Sequence, residues 1–197
     1  MCNEITAHKA AIEAFLAAGP DEIVLKSGAC YSKDQNSIAV AYFAQPHAIS
    51  LTDGTITAAN RQPVAPKDAT LILQYLTQCS GLPPRGKWIS FLELPQGSHH
   101  YTAFLEGACN PINEALSQDP DLFIARAALL GGRPLKMGDA AAVIPAFPKL
   151  PLAIVIWQGD DEFPAKTNIL LDSVSPSHLS TAALWVLVCL MADKMVA

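Results

Sequence analysis

The sequence predicts an α+β fold, with a mainly antiparallel sheet and N-terminal, central and C-terminal helices packed on it. Apolar residues make up 51% of the 197-residue chain and charged residues only 16%, so the chain can bury a substantial core. Strand-like and helix-like segments follow one another without regular strand–helix–strand alternation, which disfavours a doubly wound parallel sheet. No internal repeat or low-complexity linker divides the sequence, so residues 1–197 are predicted to form a single domain.

The first half of the chain predicts a helix, a small antiparallel meander and a second helix. Apolar residues at helical spacing predict a peripheral amphipathic helix over residues 3–18, and Gly19-Pro20 ends it. Asp53-Gly54 predicts a tight turn within the meander. The meander strands are expected at 37–43, 47–51 and 55–57, with residues 44–46 between the first two. Pro66 begins the second helix, which ends before the turn residues 80–84.

The second half predicts further strands and helices, ending in a strongly apolar helix. A short strand is expected over 87–91, a loop over 94–101, and helix over 111–130 with a break near Asp119-Pro120. Three more strands are expected at 141–146, 152–157 and 168–172. The last two should pair as an antiparallel hairpin around Gly159, with Trp157 under the C-terminal helix that starts at Ser175-Pro176.

Charge and cysteine content exclude some partners and indicate a compartment. The net charge is −5 and the 13 basic residues are scattered singly, which disfavours nucleic acid. Five cysteines lie far apart, and the N-terminus lacks the features of a signal peptide, so a reduced cytoplasmic chain is expected. The most apolar window, residues 182–192, is shorter than the roughly 20 residues that span a bilayer, so we expect no membrane span.

Several short motifs, in a particular order, point to a known family. They are Gly-Lys-Trp-Ile-Ser-Phe at 86–91, Leu-Pro-Gln-Gly at 94–97, Leu-Gly-Gly at 130–132, Gly-Asp at 138–139, Gly-Asp-Asp-Glu-Phe-Pro at 159–164, Ile-Leu-Leu-Asp at 169–172 and His-Leu at 178–179. From about residue 28 to residue 190 the chain resembles the uncharacterised bacterial and archaeal domain-of-unknown-function family 3786, common in anaerobes. The resemblance implies a fold unit and an anaerobic setting, not a reaction.

Some members of that family resemble iron–sulfur proteins in an extra cysteine-rich N-terminal segment. The first 28 residues here contain only Cys2, so a cluster is not carried over to this chain.

Three consecutive carboxylates, Asp160, Asp161 and Glu162, form the densest acidic cluster of the sequence. Oxygen ligands on a loop suit a hard divalent cation. The favoured interpretation is a polar hairpin turn, in which Gly159 takes a positive φ and an aspartate accepts backbone N–H groups.

Histidines supply a second candidate site. His99 and His100 are adjacent on the expected 94–101 loop, and neutral imidazoles bind zinc, iron or a tetrapyrrole. With His178 and an acid such as Asp160, Glu162 or Asp172, one of them would complete a His/His/carboxylate site. The candidate metal ligands are therefore His99, His100, Asp160, Asp161, Glu162 and His178. If a site exists, we expect it where 97–101 meets 159–163 and His178; the simpler alternative is a surface loop with one partly buried histidine.

Other motifs favour structural roles. Gly131-Gly132 follows a predicted helix and precedes a strand, the reverse of a phosphate-binding order, so it is interpreted as a helix C-cap. No Gly-x-Ser-x-Gly motif occurs, and Cys79 and Cys189 fit small core residues.

The function predicted from the sequence is non-catalytic: binding of a small ligand or cofactor, or docking on a partner protein, in anaerobic metabolism. The alternative is a metal-dependent enzyme, or a tetrapyrrole- or metal-binding accessory protein, that uses the His/carboxylate residues. A purely structural partner protein is the third possibility. The sequence specifies no particular cofactor and no catalytic residue.

Overall fold

The computed structural model describes residues 2–60 and 62–197 and confirms the α+β class. The chain begins with helices α1 (Cys2–Ala17) and α2 (Pro20–Ser27). A four-stranded antiparallel sheet follows, with strands β1 (Cys30–Ser32), β2 (Ser37–Tyr42), β3 (Gln45–Ser50) and β4 (Ile56–Ala58) adjacent in chain order. This small sheet is the predicted meander with β1 added at one edge. Helix α2 was not predicted, because Pro20 ends α1 yet occupies the first turn of a new helix.

The turn between β2 and β3 lies earlier than expected. Phe43 and Ala44 take positive φ angles of 47° and 59°, and Gln45 and Pro46 already belong to β3. Positive φ at both central residues is the geometry of a type I′ hairpin turn, which is costly for residues other than glycine, asparagine or aspartate. Burial of the Phe43 side chain and a 3.0 Å hydrogen bond from its N–H to the Ala146 carbonyl offset that cost.

The middle of the chain is mostly helical. Its elements are α3 (Pro66–Gln78), β5 (Trp88–Ser90), α4 (Gly97–Phe104), a π-helical turn (Leu105–Cys109), α5 (Asn110–Leu116) and α6 (Pro120–Leu129). Helix α3 and the break before Pro120 agree with the sequence. The loop expected over 94–101 is wrong, because α4 begins at Gly97. The turn residues there begin a helix instead of a loop. Gln96 takes a φ of 59°, and the backbone at Gly97 lies so close to Phe91 that a Cβ would collide with the Phe91 carbonyl oxygen.

The second sheet has five antiparallel strands in the order β5-β9-β8-β7-β6. Its remaining strands are β6 (Arg133–Pro134), β7 (Ala140–Phe147), β8 (Leu150–Trp157) and β9 (Lys166–Asp172). The predicted hairpin around Gly159 is confirmed, with Ile154 directly opposite Ile169. The predicted packing of Trp157 under the last helix is wrong: Trp157 ends β8 and is 48% exposed.

The C-terminal helix begins later than expected. Ser175–Ser177 form a single 3₁₀ turn, and α7 runs over Thr181–Val196 with the Ser180 hydroxyl accepting the Ala183 N–H. No helix in the described ranges 2–60 and 62–197 is long and apolar enough to cross a membrane.

An aromatic stack joins the two sheets and α3. The Phe147 ring lies parallel to the Tyr75 ring of α3, with the centroids 4.1 Å apart, and its centroid lies 5.0 Å from that of Tyr42 in β2. All three rings are buried. Burial of such large apolar surfaces contributes strongly to stability, so this stack fixes the position of the small sheet against the large one.

Asp172, at the end of β9, connects the large sheet to the loop before β5. It is fully buried, and its carboxylate accepts the N–H groups of Arg85 (3.0 Å), Gly86 (2.7 Å) and Val174 (3.0 Å).

We therefore expect Asp172→Asn to lower the free energy of unfolding by about 2 to 3 kcal/mol, because an amide turns an N–H₂ group toward backbone donors. Urea denaturation measures the change. Asp161→Asn, on the exposed hairpin turn, is the matched control and should change stability by less than about 0.5 kcal/mol. Equal small effects at both positions would contradict a structural role for Asp172.

Candidate functional site

The acidic cluster forms a turn that aspartate caps. Asp160 Oδ1 accepts the N–H groups of Glu162 (2.9 Å) and Phe163 (2.7 Å), and these bonds hold the pKa of Asp160 below its usual value. The positive φ expected at Gly159 is wrong. Glycine is needed there for space instead, because a Cβ would approach the Ala165 nitrogen to 2.7 Å. All three carboxylates are exposed, and that of Asp160 caps the turn between β8 and β9.

His99 and His100 lie on α4 instead of on a loop. His99 is exposed, whereas the His100 ring is partly buried and stacks on Trp185 of α7 with the centroids 5.5 Å apart. Neighbouring helix positions point about 100° apart, so the two rings face different surroundings.

His178 is buried in a polar cluster at the end of α3. Its Nδ1 accepts the Ser80 N–H at 3.3 Å and lies 3.4 Å from Cys79 Sγ. Since Nδ1 accepts a backbone donor, the neutral ring carries its proton on Nε2, which has no partner among the described residues. Burial lowers the pKa of His178, and the nearby Lys149 charge lowers it further, while Asp172 opposes the shift.

The structure does not bring the acidic turn and His178 together. The turn precedes one end of β9, whereas His178 follows the other end, and a seven-residue strand spans about 20 Å. Within the described ranges, no group of three or more histidine, cysteine, aspartate or glutamate side chains could hold a metal ion. Metal binding by individual members of the predicted set stays a prediction.

The Gly131-Gly132 motif is a helix C-cap, as the sequence predicts. Gly131 takes a φ of 73°, and the N–H groups of Gly131 and Gly132 donate to the carbonyls of Ala128 (3.0 Å) and Ala127 (2.8 Å) at the end of α6.

A cavity of about 290 Å³ opens between the β2–β3 hairpin, the loop after β4, the start of α3 and the end of α7. Its polar lining comprises Tyr42, Gln45, His47, Asn60, Gln62, Asp68 and Lys194, and its apolar wall includes Pro63, Val64 and Leu130. We call it the Tyr42 pocket. No motif marks these residues in the sequence, since they come from several distant segments that meet only in the fold.

An ion pair lies at one side of the Tyr42 pocket. Lys194 Nζ donates to Asp68 Oδ1 at 2.8 Å, and the side chains of Lys194 and Asp68 are 33% and 10% exposed. Asp68 lies in the first turn of α3, where the helix dipole favours a carboxylate. The Lys194 ammonium also lies 5.7 Å above the Tyr42 ring and 5.9 Å above the Phe43 ring. The two charges are thus held in place by α3, α7 and the aromatic pair.

Tyr42 lines the same pocket, and its buried hydroxyl has no hydrogen-bond partner among the described residues; only 3% of the residue is exposed. Burial raises the pKa of Tyr42 well above its ordinary value, and the neighbouring Asp68 carboxylate raises it further, although the two groups do not reach hydrogen-bonding geometry. The hydroxyl therefore stays protonated, with the Asp68 carboxylate as a neighbouring acceptor.

His47 completes the polar wall. Its Nδ1 lies 2.9 Å from the Gln45 carbonyl oxygen and must donate to it, because a carbonyl only accepts. In the neutral ring Nε2 is then an acceptor. The pocket combines two kinds of donor, at Tyr42 and Lys194, with two kinds of acceptor, at Asp68 and His47. Such a lining can bind a polar molecule.

Comparison with family models identifies a family for most of the chain. The model described as "Domain of unknown function (DUF3786)" matches residues 19–194, a range that contains every polar residue of the Tyr42 pocket. No curated protein and no solved structure matches the chain.

The lowered pKa of His178 predicts acid sensitivity. An unfolded histidine titrates near 6.5, so below that pH the unfolded chain binds a proton that buried His178 resists. Stability should fall as the pH drops from about 7.5 to about 5.5, and His178→Asn should reduce this dependence. Urea denaturation at both pH values measures it. An unchanged pH dependence in the variant would rule out His178 as its source.

The unpartnered hydroxyl predicts a stabilising substitution. Tyr42→Phe should raise the free energy of unfolding of ligand-free protein by about 1 kcal/mol, because it removes a buried donor that pairs with nothing. The protein is first refolded from urea to remove bound molecules, and then unfolded in urea. Tyr31→Phe, at a partly buried tyrosine outside the pocket, is the matched control. Destabilisation by Tyr42→Phe would show that the hydroxyl has a partner.

Proposed function

The chain belongs to the domain-of-unknown-function family 3786, and from this premise we propose that it is a non-catalytic protein that binds a small polar ligand in the Tyr42 pocket. The observation that carries the proposal is the buried Tyr42 hydroxyl without a partner. An unsatisfied buried hydroxyl costs about 1 to 3 kcal/mol, a cost that a ligand acceptor would offset.

The size of the Tyr42 pocket supports a small ligand. Its volume of about 290 Å³ is at the lower end of the range for small-molecule sites. Its polar groups converge from different elements onto one concave surface with apolar walls, which is the usual arrangement in a binding site.

Other parts of the sequence-based function stay predictions. The setting in anaerobic metabolism and the metal-dependent alternative have no structural observation in their favour. A cytoplasmic location is part of our proposal, supported by the free thiols of Cys30, Cys79, Cys109 and Cys189.

Thermal-shift measurements followed by calorimetry test the proposal. The probes are the twenty amino acids, myo-inositol, uracil, adenine, succinate, spermidine and inorganic phosphate, each at millimolar concentration. We expect at least one probe to raise the Tm and to bind Tyr42→Phe about tenfold more weakly than the parent, as the loss of one hydrogen bond implies. The control Tyr31→Phe should bind as the parent does.

Two results would contradict the proposal. One is that no probe stabilises the protein. The other is binding that Tyr42→Phe leaves unchanged, which would place the ligand elsewhere, for example in the cavity of about 350 Å³ beside Trp185.

A further inference from the structure

We infer that the ligand of the Tyr42 pocket is a zwitterion of the α-amino acid class, with its ammonium at Asp68 and its carboxylate at Lys194. This inference rests on the proposed function and specifies its ligand.

The ion pair disfavours a ligand with a single charge. Asp68 Oδ1 and Lys194 Nζ are only 2.8 Å apart. An anion that reaches the Lys194 ammonium therefore also approaches the Asp68 carboxylate, and a cation that reaches the carboxylate also approaches the ammonium. Attraction to one group is then largely cancelled by repulsion from the other. Asp68 is the acidic residue and Lys194 the lysine of the described lining, so this pair sets the charge preference.

A zwitterion matches the pair with both of its charges. The Lys194 ammonium has three donors and gives one to Asp68, and the Asp68 carboxylate has acceptor sites beyond the one that Lys194 uses. The two charges of the ligand are also a few ångströms apart. Its ammonium is therefore attracted to Asp68 while its carboxylate is attracted to Lys194.

The neutral groups of the pocket add a donor, the Tyr42 hydroxyl, and an acceptor, Nε2 of the neutral His47 ring. Hydrogen bonds to charged groups are about twice as strong as neutral ones, and the restricted exposure of Asp68 and Lys194 limits competition from water. This favours a zwitterion over an uncharged polar molecule.

The rest of the pocket limits the ligand side chain. Pro63, Val64 and Leu130 supply an apolar wall, and about 290 Å³ leaves space for a small or medium side chain. We expect the tightest probes to be amino acids with short aliphatic side chains, such as alanine and valine.

Matched analogues test the inference on the unaltered protein. The amino acid that binds most tightly is compared by calorimetry with its amide, which keeps only the positive charge, and with its N-acetyl derivative, which keeps only the negative charge. Both analogues should bind at least about tenfold more weakly, as the loss of one charge-assisted contact implies.

Variants locate the two charges. Asp68→Asn and Lys194→Met should each weaken amino-acid binding at least about tenfold, whereas the exposed controls Asp34→Asn and Lys33→Met should not. Circular dichroism establishes that each variant is folded, and the analogue comparison stands if a variant fails to fold.

The outcomes separate this inference from the proposed function. Equal binding of either singly charged analogue overturns the zwitterion. Binding of uracil or myo-inositol that depends on Tyr42, with no amino acid bound, also overturns it and leaves the proposed function intact. Failure of every probe overturns both.

Discussion

The arrangement of the whole structure depends on Phe147, whose ring lies between Tyr42 of the small sheet and Tyr75 of α3. Phe147 ends β7, so the large sheet, the small sheet and α3 meet at one aromatic contact. The adjacent hydrogen bond from the Phe43 N–H to the Ala146 carbonyl joins the two sheets at the same point. Because aromatic packing fixes the Tyr42 ring, its hydroxyl stays buried next to the pocket.

The two tyrosines of this stack differ in the hydrogen bonding of their hydroxyl groups. The Tyr75 hydroxyl donates to the Ser27 carbonyl at 2.8 Å and accepts the Lys149 N–H at 3.1 Å, so its polar atoms are satisfied within the fold. The Tyr42 hydroxyl has no such partner among the described residues. Native proteins satisfy most buried polar groups, so the Tyr42 hydroxyl, beside a partly buried ion pair and a cavity, supports the proposed ligand.

The sequence predicts the regular elements well because their signals are local. Alternation and apolar runs locate the hairpin that pairs Ile154 with Ile169, and Pro66 begins α3 as expected. The errors arise where the local signal fits more than one structure: the turn residues before Gly97 indicate a loop, but Gly97 packs closely on Phe91 and begins α4. The acidic cluster at Asp160 stands out in the sequence but caps a turn. The Tyr42 pocket has no sequence signal, because Tyr42, Asp68 and Lys194 lie on three elements.

The most direct test of the central claim, that the Tyr42 hydroxyl is held free for a ligand, is NMR of protein labelled with ¹³C at the Cζ of its four tyrosines. Tyr42→Phe assigns the Tyr42 resonance, and the parent is then titrated with an equimolar mixture of all the thermal-shift probes. The account predicts that the Tyr42 resonance shifts in a saturable way while those of Tyr31, Tyr75 and Tyr101 stay in place. A Tyr42 resonance that does not move would contradict it.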